Sequence, residues 1–300
     1  MLIMAVLSLF PTPPHCKPFV SPHPISGAQL KIGLLNLMPN KAETEVQWLR
    51  LLQQANSPLP LHISLLKFTN WQPQNTSALY MAQYYQTVEA MLAARQLDAL
   101  IITGAPLGQV DYNQVGYWAD FTHLTCDLHL RGIPSFYSCW AANAALHHLH
   151  KIATLRSADK LSGLFPQRVE AHSLTRSLAD PVRLPQSRYS RPDTSLPMPA
   201  LKTLLSAEET GPTLFIDERR LDVFLLGHVE YEADTLAREY QRDQQKGMTV
   251  AMPEGYFVNN DPSQLPQADW LQAGAHLLGN WLSMLGQRLR PELMPAQRPL

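Results

Sequence analysis

Charge is scarce in this 300-residue chain, and what there is nearly cancels: 24 Lys and Arg stand against 25 Asp and Glu, for a net of -1. Binding to nucleic acid or an anionic membrane calls for a basic excess, so neither is expected as a partner. Cysteine is nearly absent, with three in all and no CxxC spacing. That excludes a disulfide framework and a zinc ribbon. It suits a reducing compartment, so a cytoplasmic protein is expected. Long apolar runs are also missing. The apolar stretch 1–10 is about half the roughly 20 residues needed to span a bilayer. It lacks the basic start of a secretory leader, and prolines follow at 11, 13 and 14. There is no Gly-rich phosphate loop and no internal repeat.

Hydrophobic residues, by contrast, make up 45% of the chain, enough for a large core. Proline is plentiful at 25, and the stretches 11–24 and 181–199 read as extended loop. Strand and helix patterns alternate from residue 31 onward. Apolar runs at 31–37 (KIGLLNL), 61–68, 97–103 and 133–137 predict strands; the segments 43–55, 79–95 and 117–130 predict helices between them. The region 151–200 is less regular. Strands are expected again at 213–216 and 223–226 about a polar turn at 217–220, then helices over 234–245 and 270–285. This pattern predicts an α/β fold with a doubly wound, mostly parallel sheet and helices on both faces. A single domain over 31–286 is expected, with an N-terminal tail at 1–30 and a C-terminal tail at 287–300.

The segment 133–145 reads IPSFYSCWAANAA. An apolar strand runs straight into Ser138-Cys139-Trp140 and then into helix formers, the layout of a nucleophile elbow. Cys139 would stand at a helix N-terminus, where unpaired N–H groups favour a thiolate and can hold an oxyanion. Most cysteines are inert core residues. The end of a strand is where open α/β sheets place ligands, which tilts the reading toward a nucleophile. Cys126 reads as helix packing and Cys16 as a tail residue. A thiol nucleophile needs a base, and 223–230 reads VFLLGHVE. His228 follows a second strand end, and Glu230 two residues on would point to the same side and orient the imidazole. On spacing alone, a capped strand end with an ordinary surface His and Glu accounts for that segment equally well. His147 and His150 share a helix face but lack a third ligand at metal spacing, so a solvated helix end is expected and no metal site.

The pairing of Cys139 with His228 and Glu230 resembles the triad of class I glutamine amidotransferases and their relatives. More specifically, the chain resembles the homoserine O-succinyltransferase family. The matching blocks run in order: IGLLNLMPNKAETE at 32–45, LIITGAPLGQVDY at 100–112, CWAANAAL at 139–146, KLSG at 160–163, SRY at 187–189, GHVEYEADTLAREYQRD at 227–243 and GNWL at 279–282. The resemblance implies an amidotransferase-like fold and a ping-pong acyl transfer in methionine biosynthesis. In it Cys139 takes the succinyl group of succinyl-CoA, His228 acts as base and Glu230 orients it. It implies substrate-binding roles for Lys41, Lys160, Ser187 and Arg242. Gly108, where a Glu would repel a succinyl carboxylate, implies a succinyl rather than an acetyl donor. No resident cofactor is implied, since succinyl-CoA is a co-substrate; the partners are small molecules and a second copy of the chain in a homodimer. The sequence departs from the family at Val229, where Pro is usual, and at Asn143 and Gln186, where Gln and His are common. The last two, near the expected acceptor site, keep a serine O-acyltransferase open as an alternative. An amidotransferase-like hydrolase is disfavoured by Trp140 beside the cysteine.

Overall fold

The computed structural model describes residues 4–294. Its elements begin with β1 (Leu7–Leu9), β2 (Leu30–Leu35), α1 (Lys41–Gln54), β3 (Leu61–Lys67), α2 (Ala78–Tyr84), β4 (Gln86–Thr87) and α3 (Val88–Ala93). β5 (Ala99–Ile102), α4 (Trp118–Arg131), β6 (Ser135–Ser138) and α5 (Trp140–His150) complete the alternating part. Four strands follow, β7 (Thr154–Val169), β8 (Val182–Pro192), β9 (Lys202–Ala207) and β10 (Gly211–Asp217). β11 (Asp222–Leu225), α6 (Thr235–Gln245) and α7 (Trp270–Leu289) close the chain.

The strands form one sheet in the order β1-β3-β2-β5-β6-β11-β10-β9-β7-β8, with β4 beside β3. Pairings from β1 through β11 are parallel. Those from β11 out to β8 are antiparallel. Alternate residues of the parallel strands face opposite sides, as a pleated strand requires. Ile32, Leu34, Ile101, Phe136 and Leu225 pack with Trp48 of α1 and Trp281 of α7. Leu35, Leu100, Ile102, Tyr137 and Phe224 pack with Phe121 of α4 and Leu146 of α5. Helices on both faces explain why these strands read as continuous apolar runs. The mostly parallel, doubly wound α/β sheet expected from the sequence is the fold observed.

Several local expectations are corrected. The 1–30 segment is no patternless tail: β1 adds a parallel edge strand to β3, and Cys16 is fully buried. Cys126, expected to pack inside, is exposed. The helix expected over 79–95 is broken at Tyr85, where the chain turns extended to pair β4 with β3. The region 151–200 holds the two longest strands of the sheet, and most of the supposed Pro-rich loop at 181–199 is β8. The C-terminal helix continues to Leu289, past the expected domain end at 286; residues 295–300 lie outside the described residues. Among the described residues, no helix is long and apolar enough to cross a membrane.

Candidate active site

β6 and β11 are parallel neighbours, with Ser138 in register with Leu225. Their carboxyl ends therefore open at the same edge of the sheet, and each hands on one reactive side chain. After β6 the chain turns at Cys139 with φ 50° and ψ -111°, a left-handed conformation that an L-residue adopts at a cost of about 1–3 kcal/mol. The turn is held by the Cys139 amide, which donates to Leu225 O at 2.7 Å, and by the Cys139 carbonyl, which accepts from Asn143 N at 3.2 Å. A methyl group on Gly104, just past β5, would lie 3.1 Å from Cys139 Cβ and 3.8 Å from its Sγ. A side chain at that position would require the Cys139 turn to give by a few tenths of an ångström.

After β11, Gly227 passes tightly over β8: a Cβ there would meet Gln186 Nε2 at 2.7 Å and Pro185 O at 3.1 Å. His228 N then donates to Pro185 O at 2.9 Å. His228 Nδ1 pairs with Glu230 Oε1 at 2.8 Å, and both side chains are buried. The ring stacks on Tyr231 with centroids 4.0 Å apart. Val229, between base and carboxylate, is buried against Gly274 of α7. That contact fixes the alternation that sends His228 and Glu230 to the same side. With Nδ1 engaged by a carboxylate, the proton sits there and Nε2 is left for the thiol. Burial opposes the imidazolium. Negative charge on Cys139 and Glu230, with the Glu230 hydrogen bond, outweighs it and holds the His228 pKa well above its usual value.

Buried polar atoms without a protein partner gather at this edge. They include Ser138 Oγ, Asn143 Oδ1, Gln186 Nε2, His228 Nε2 and Glu230 Oε2. Buried polar groups are nearly always paired, so such a group marks a place where another molecule's polar atoms fit.

Three of the expected binding residues gather at two carboxylates of α6 that the sequence reading missed. Glu239 accepts from Lys160 Nζ at 2.9 Å, Ser187 Oγ at 2.5 Å and Tyr231 OH at 2.7 Å. Burial pushes its carboxyl up, but Lys160, Ser187 and Tyr231 prevail and lower it to about 2. Asp243, one helical turn on, takes Lys160 at 3.3 Å and Arg242 at 2.8 Å. The spacing of Glu239 and Asp243 puts both on one face of α6 and was the available signal. Lys160 reaches them because β7 slips register between Arg156 and Leu161. Tyr231, stacked on His228 and bonded to Glu239, joins this cluster to the triad.

The other two expected residues sit apart. Lys41 opens α1 and is buried; its Nζ donates to Asn36 O at 2.5 Å. Burial lowers its pKa to about 8, while Glu45 works the other way. Among the described residues it makes no polar contact with Cys139, His228 or Glu230. Gly108 lies over β8, and a Cβ there would meet Tyr189 at 3.5 Å and Ser190 Oγ at 3.7 Å, ordinary contacts. Ser190 in turn is bonded to Asn143, one turn after Cys139. Arg188, also missed, is buried between Gln186 and Ser190. Elsewhere, His15, Cys16 and Glu45 bring three potential metal-ligand atoms within 4.8 Å of one another. The Glu45 carboxylate already engages His15, Cys16, Tyr80 and Tyr85, so the group is a closed network tying the N-terminal segment to α1.

The open sheet that carries this thiol and the carboxylate-bound histidine at neighbouring strand ends has a class I glutamine amidotransferase-like fold. Solved structures agree on the fold. A glutamine amidotransferase from Thermotoga maritima superposes with a TM-score of 0.54 over 87% of this chain and 98% of its own, at 12% identity. One from Methylobacillus flagellatus gives 0.52 over 85% and 94%, at 13% identity. The chain belongs to the homoserine O-succinyltransferase family, whose sequence model matches residues 25–290. It is 41% identical over 260 residues to the homoserine O-succinyltransferase of Pseudoalteromonas atlantica, covering 85% of this chain and 83% of that one. It is 39% identical over 267 residues to that of Shewanella sediminis, covering 87% and 84%. It is therefore an enzyme of the acyltransferase class.

Proposed function

We propose that the chain moves a succinyl group from succinyl-CoA to the hydroxyl of L-homoserine, through a thioester on Cys139. The observation that carries this reading is the buried His228 Nε2, without a protein partner, beside the Cys139 thiol while Glu230 holds Nδ1. In the first step the Cys139 sulfur attacks the thioester carbonyl. A new C–S bond forms, the bond to the CoA sulfur breaks, and the departing thiolate takes a proton from His228. The negative oxygen that forms on the way lies beside the first N–H groups of α5, which have no partner within the helix. One thioester replaces another, so the step is nearly neutral in energy. In the second step the acceptor hydroxyl gives its proton to His228 Nε2 as its oxygen attacks the acyl carbon, and Cys139 leaves as thiolate. Glu230 stabilises the imidazolium in both steps.

An amino-acid acceptor brings an ammonium and a carboxylate. Glu239, ionised and joined to the triad through Tyr231, suits the ammonium. Arg242, half exposed beside Asp243, offers a guanidinium fork to the carboxylate. No resident cofactor enters these steps. Three unpaired thiols suit a cytoplasmic setting. The homodimer rests on family resemblance, and sedimentation equilibrium of the purified chain checks it.

The test offers succinyl-CoA or acetyl-CoA with homoserine or L-serine and follows free CoA. Release is expected with succinyl-CoA and homoserine above all other pairs. A preference for L-serine would move the acceptor assignment to serine. Release with no pair, together with hydrolysis of glutamine, would replace the transferase by a hydrolase.

A further inference from the structure

Arg188 is an arginine where a buried cation is costly. It is 6% exposed on β8, and every hydrogen bond it makes goes to a neutral oxygen. Nε donates to Gln186 Oε1 at 2.9 Å, Nη1 to Ser190 O at 2.9 Å and Nη2 to Thr210 O at 2.8 Å. No carboxylate lies within ion-pair distance of it among the described residues. A charge taken out of water without a counter-charge is destabilising, and proteins keep such groups where another charge answers them.

The contacts of Arg188 lead to both halves of the triad. Asn143 Nδ2 approaches the same Ser190 carbonyl, at 3.5 Å, and Asn143 N donates to the Cys139 carbonyl. On the other side, the Gln186 amide that Arg188 orients presses on Gly227, directly before His228. We propose that Arg188 is a positioning residue for the reaction: its buried positive charge is the fixed counter-charge that holds Cys139 as a thiolate, and its hydrogen bonds set the spacing between the Cys139 turn and His228. The electrostatics run the same way. Burial lowers the guanidinium pKa to about 10, and the negative charge on Cys139 is the interaction that opposes the drop. The groups facing the thiol are then His228 and Tyr231 from the segment after β11, with Glu230 behind the imidazole, and Arg188 from β8. Arg191, the remaining charge acting on Arg188, is exposed and of the same sign. Arg188 is thus the one permanent cation in the set; His228 carries charge only when protonated.

The inference rests on Cys139 being the nucleophile, but its test needs neither acyl donor nor acceptor. Iodoacetamide is added to the full-length protein across pH, and alkylation of Cys139 is followed by peptide mass spectrometry, which separates it from Cys16 and the exposed Cys126. In Arg188→Met the midpoint of the alkylation profile is expected to move up by about one pH unit, so that the reaction is roughly tenfold slower at pH values below both midpoints. Arg188→Lys, which keeps the charge but not the fork, is expected to keep the midpoint near wild type while lowering kcat more than it raises KM. A folded Arg188→Met with the wild-type midpoint would overturn the proposal. So would a chain that folds with Lys but with neither Met nor Gln at 188, since that assigns the residue to the scaffold alone. Failure of the acyl transfer itself would appear separately, as absent CoA release with an unchanged alkylation profile.

Discussion

Changing Glu230 to Gln alters one group in a buried pair and leaves its shape intact. The Oε1 atom lies 2.8 Å from His228 Nδ1, so the centres of charge are about 4 Å apart. At an effective dielectric constant of about 20, unit charges at that distance attract by about 4 kcal/mol. The Gln oxygen still accepts a neutral hydrogen bond worth about 1 kcal/mol, so the imidazolium loses about 2–3 kcal/mol. In the proposed second step that form appears in the transition state but not in the acyl-enzyme, and the loss converts to roughly a 30- to 160-fold fall in kcat. If the Gln amide flips to donate to Nδ1, the proton moves to Nε2, the base is blocked and the fall is larger. The pH profile gives an independent sign. Glu230 and Cys139 raise the His228 pKa. Removing one of them lowers it, so the imidazolium is lost sooner as pH rises. The limb of the acylation rate that reports that loss must move to lower pH. The assay is CoA release under saturating substrates from about pH 5 to 9, with a thiol reagent as reporter. Turnover within twofold of wild type, or a limb moving to higher pH, would rule out this electrostatic role for Glu230.

In Gly108→Glu the new Cβ fits against Tyr189 at 3.5 Å, so the variant is expected to fold, and its carboxylate to lower kcat/KM for succinyl-CoA at least tenfold relative to acetyl-CoA, measured by competing the two donors. Retained preference for succinyl-CoA would remove Gly108 from donor selection. Glu239, held at about 2 against an ordinary 4.5, contributes stability that is fully present above pH 4.5 and lost as pH falls through 2. The difference is roughly 3 kcal/mol, and Glu239→Gln is expected to lose that amount at pH 7 and to flatten the denaturation free energy between pH 4.5 and 2. An unchanged slope in urea titrations would show that Lys160, Ser187 and Tyr231 do not stabilise the ionised form.

The parts of the fold legible in the sequence are those where one physical rule dominates. β2, β5, β6 and β11 are covered on both faces, so each reads as an apolar run whose end is easy to place. β7 is hidden because its first half is largely exposed and polar and slips register, and β8 because Pro185 and Pro192 argue for loop. β1 is three residues at an edge, too short for any period. The triad is visible because Cys139 sits on a strand end and His228 and Glu230 lie two residues apart on the next. The cluster around Glu239 is only half visible. Glu239 meets Ser187 and Lys160 across 52 and 79 residues of chain, contacts that no spacing rule encodes. Arg242 stands out by its charge, yet the structure pairs it with the adjacent Asp243. Arg188 lies within the SRY block, but its setting gives no signal there, because burial without a counter-charge is a property of the folded chain.

The proposed chemistry places the acyl group on Cys139 between donor and acceptor. Enzyme mixed with succinyl-CoA alone and quenched in acid should show one added succinyl group by intact-protein mass spectrometry. Digestion should place it on the peptide containing Cys139. The adduct should vanish on addition of homoserine and never form in Cys139→Ala. Full turnover without any adduct, or with the adduct on another residue, would contradict a Cys139 thioester.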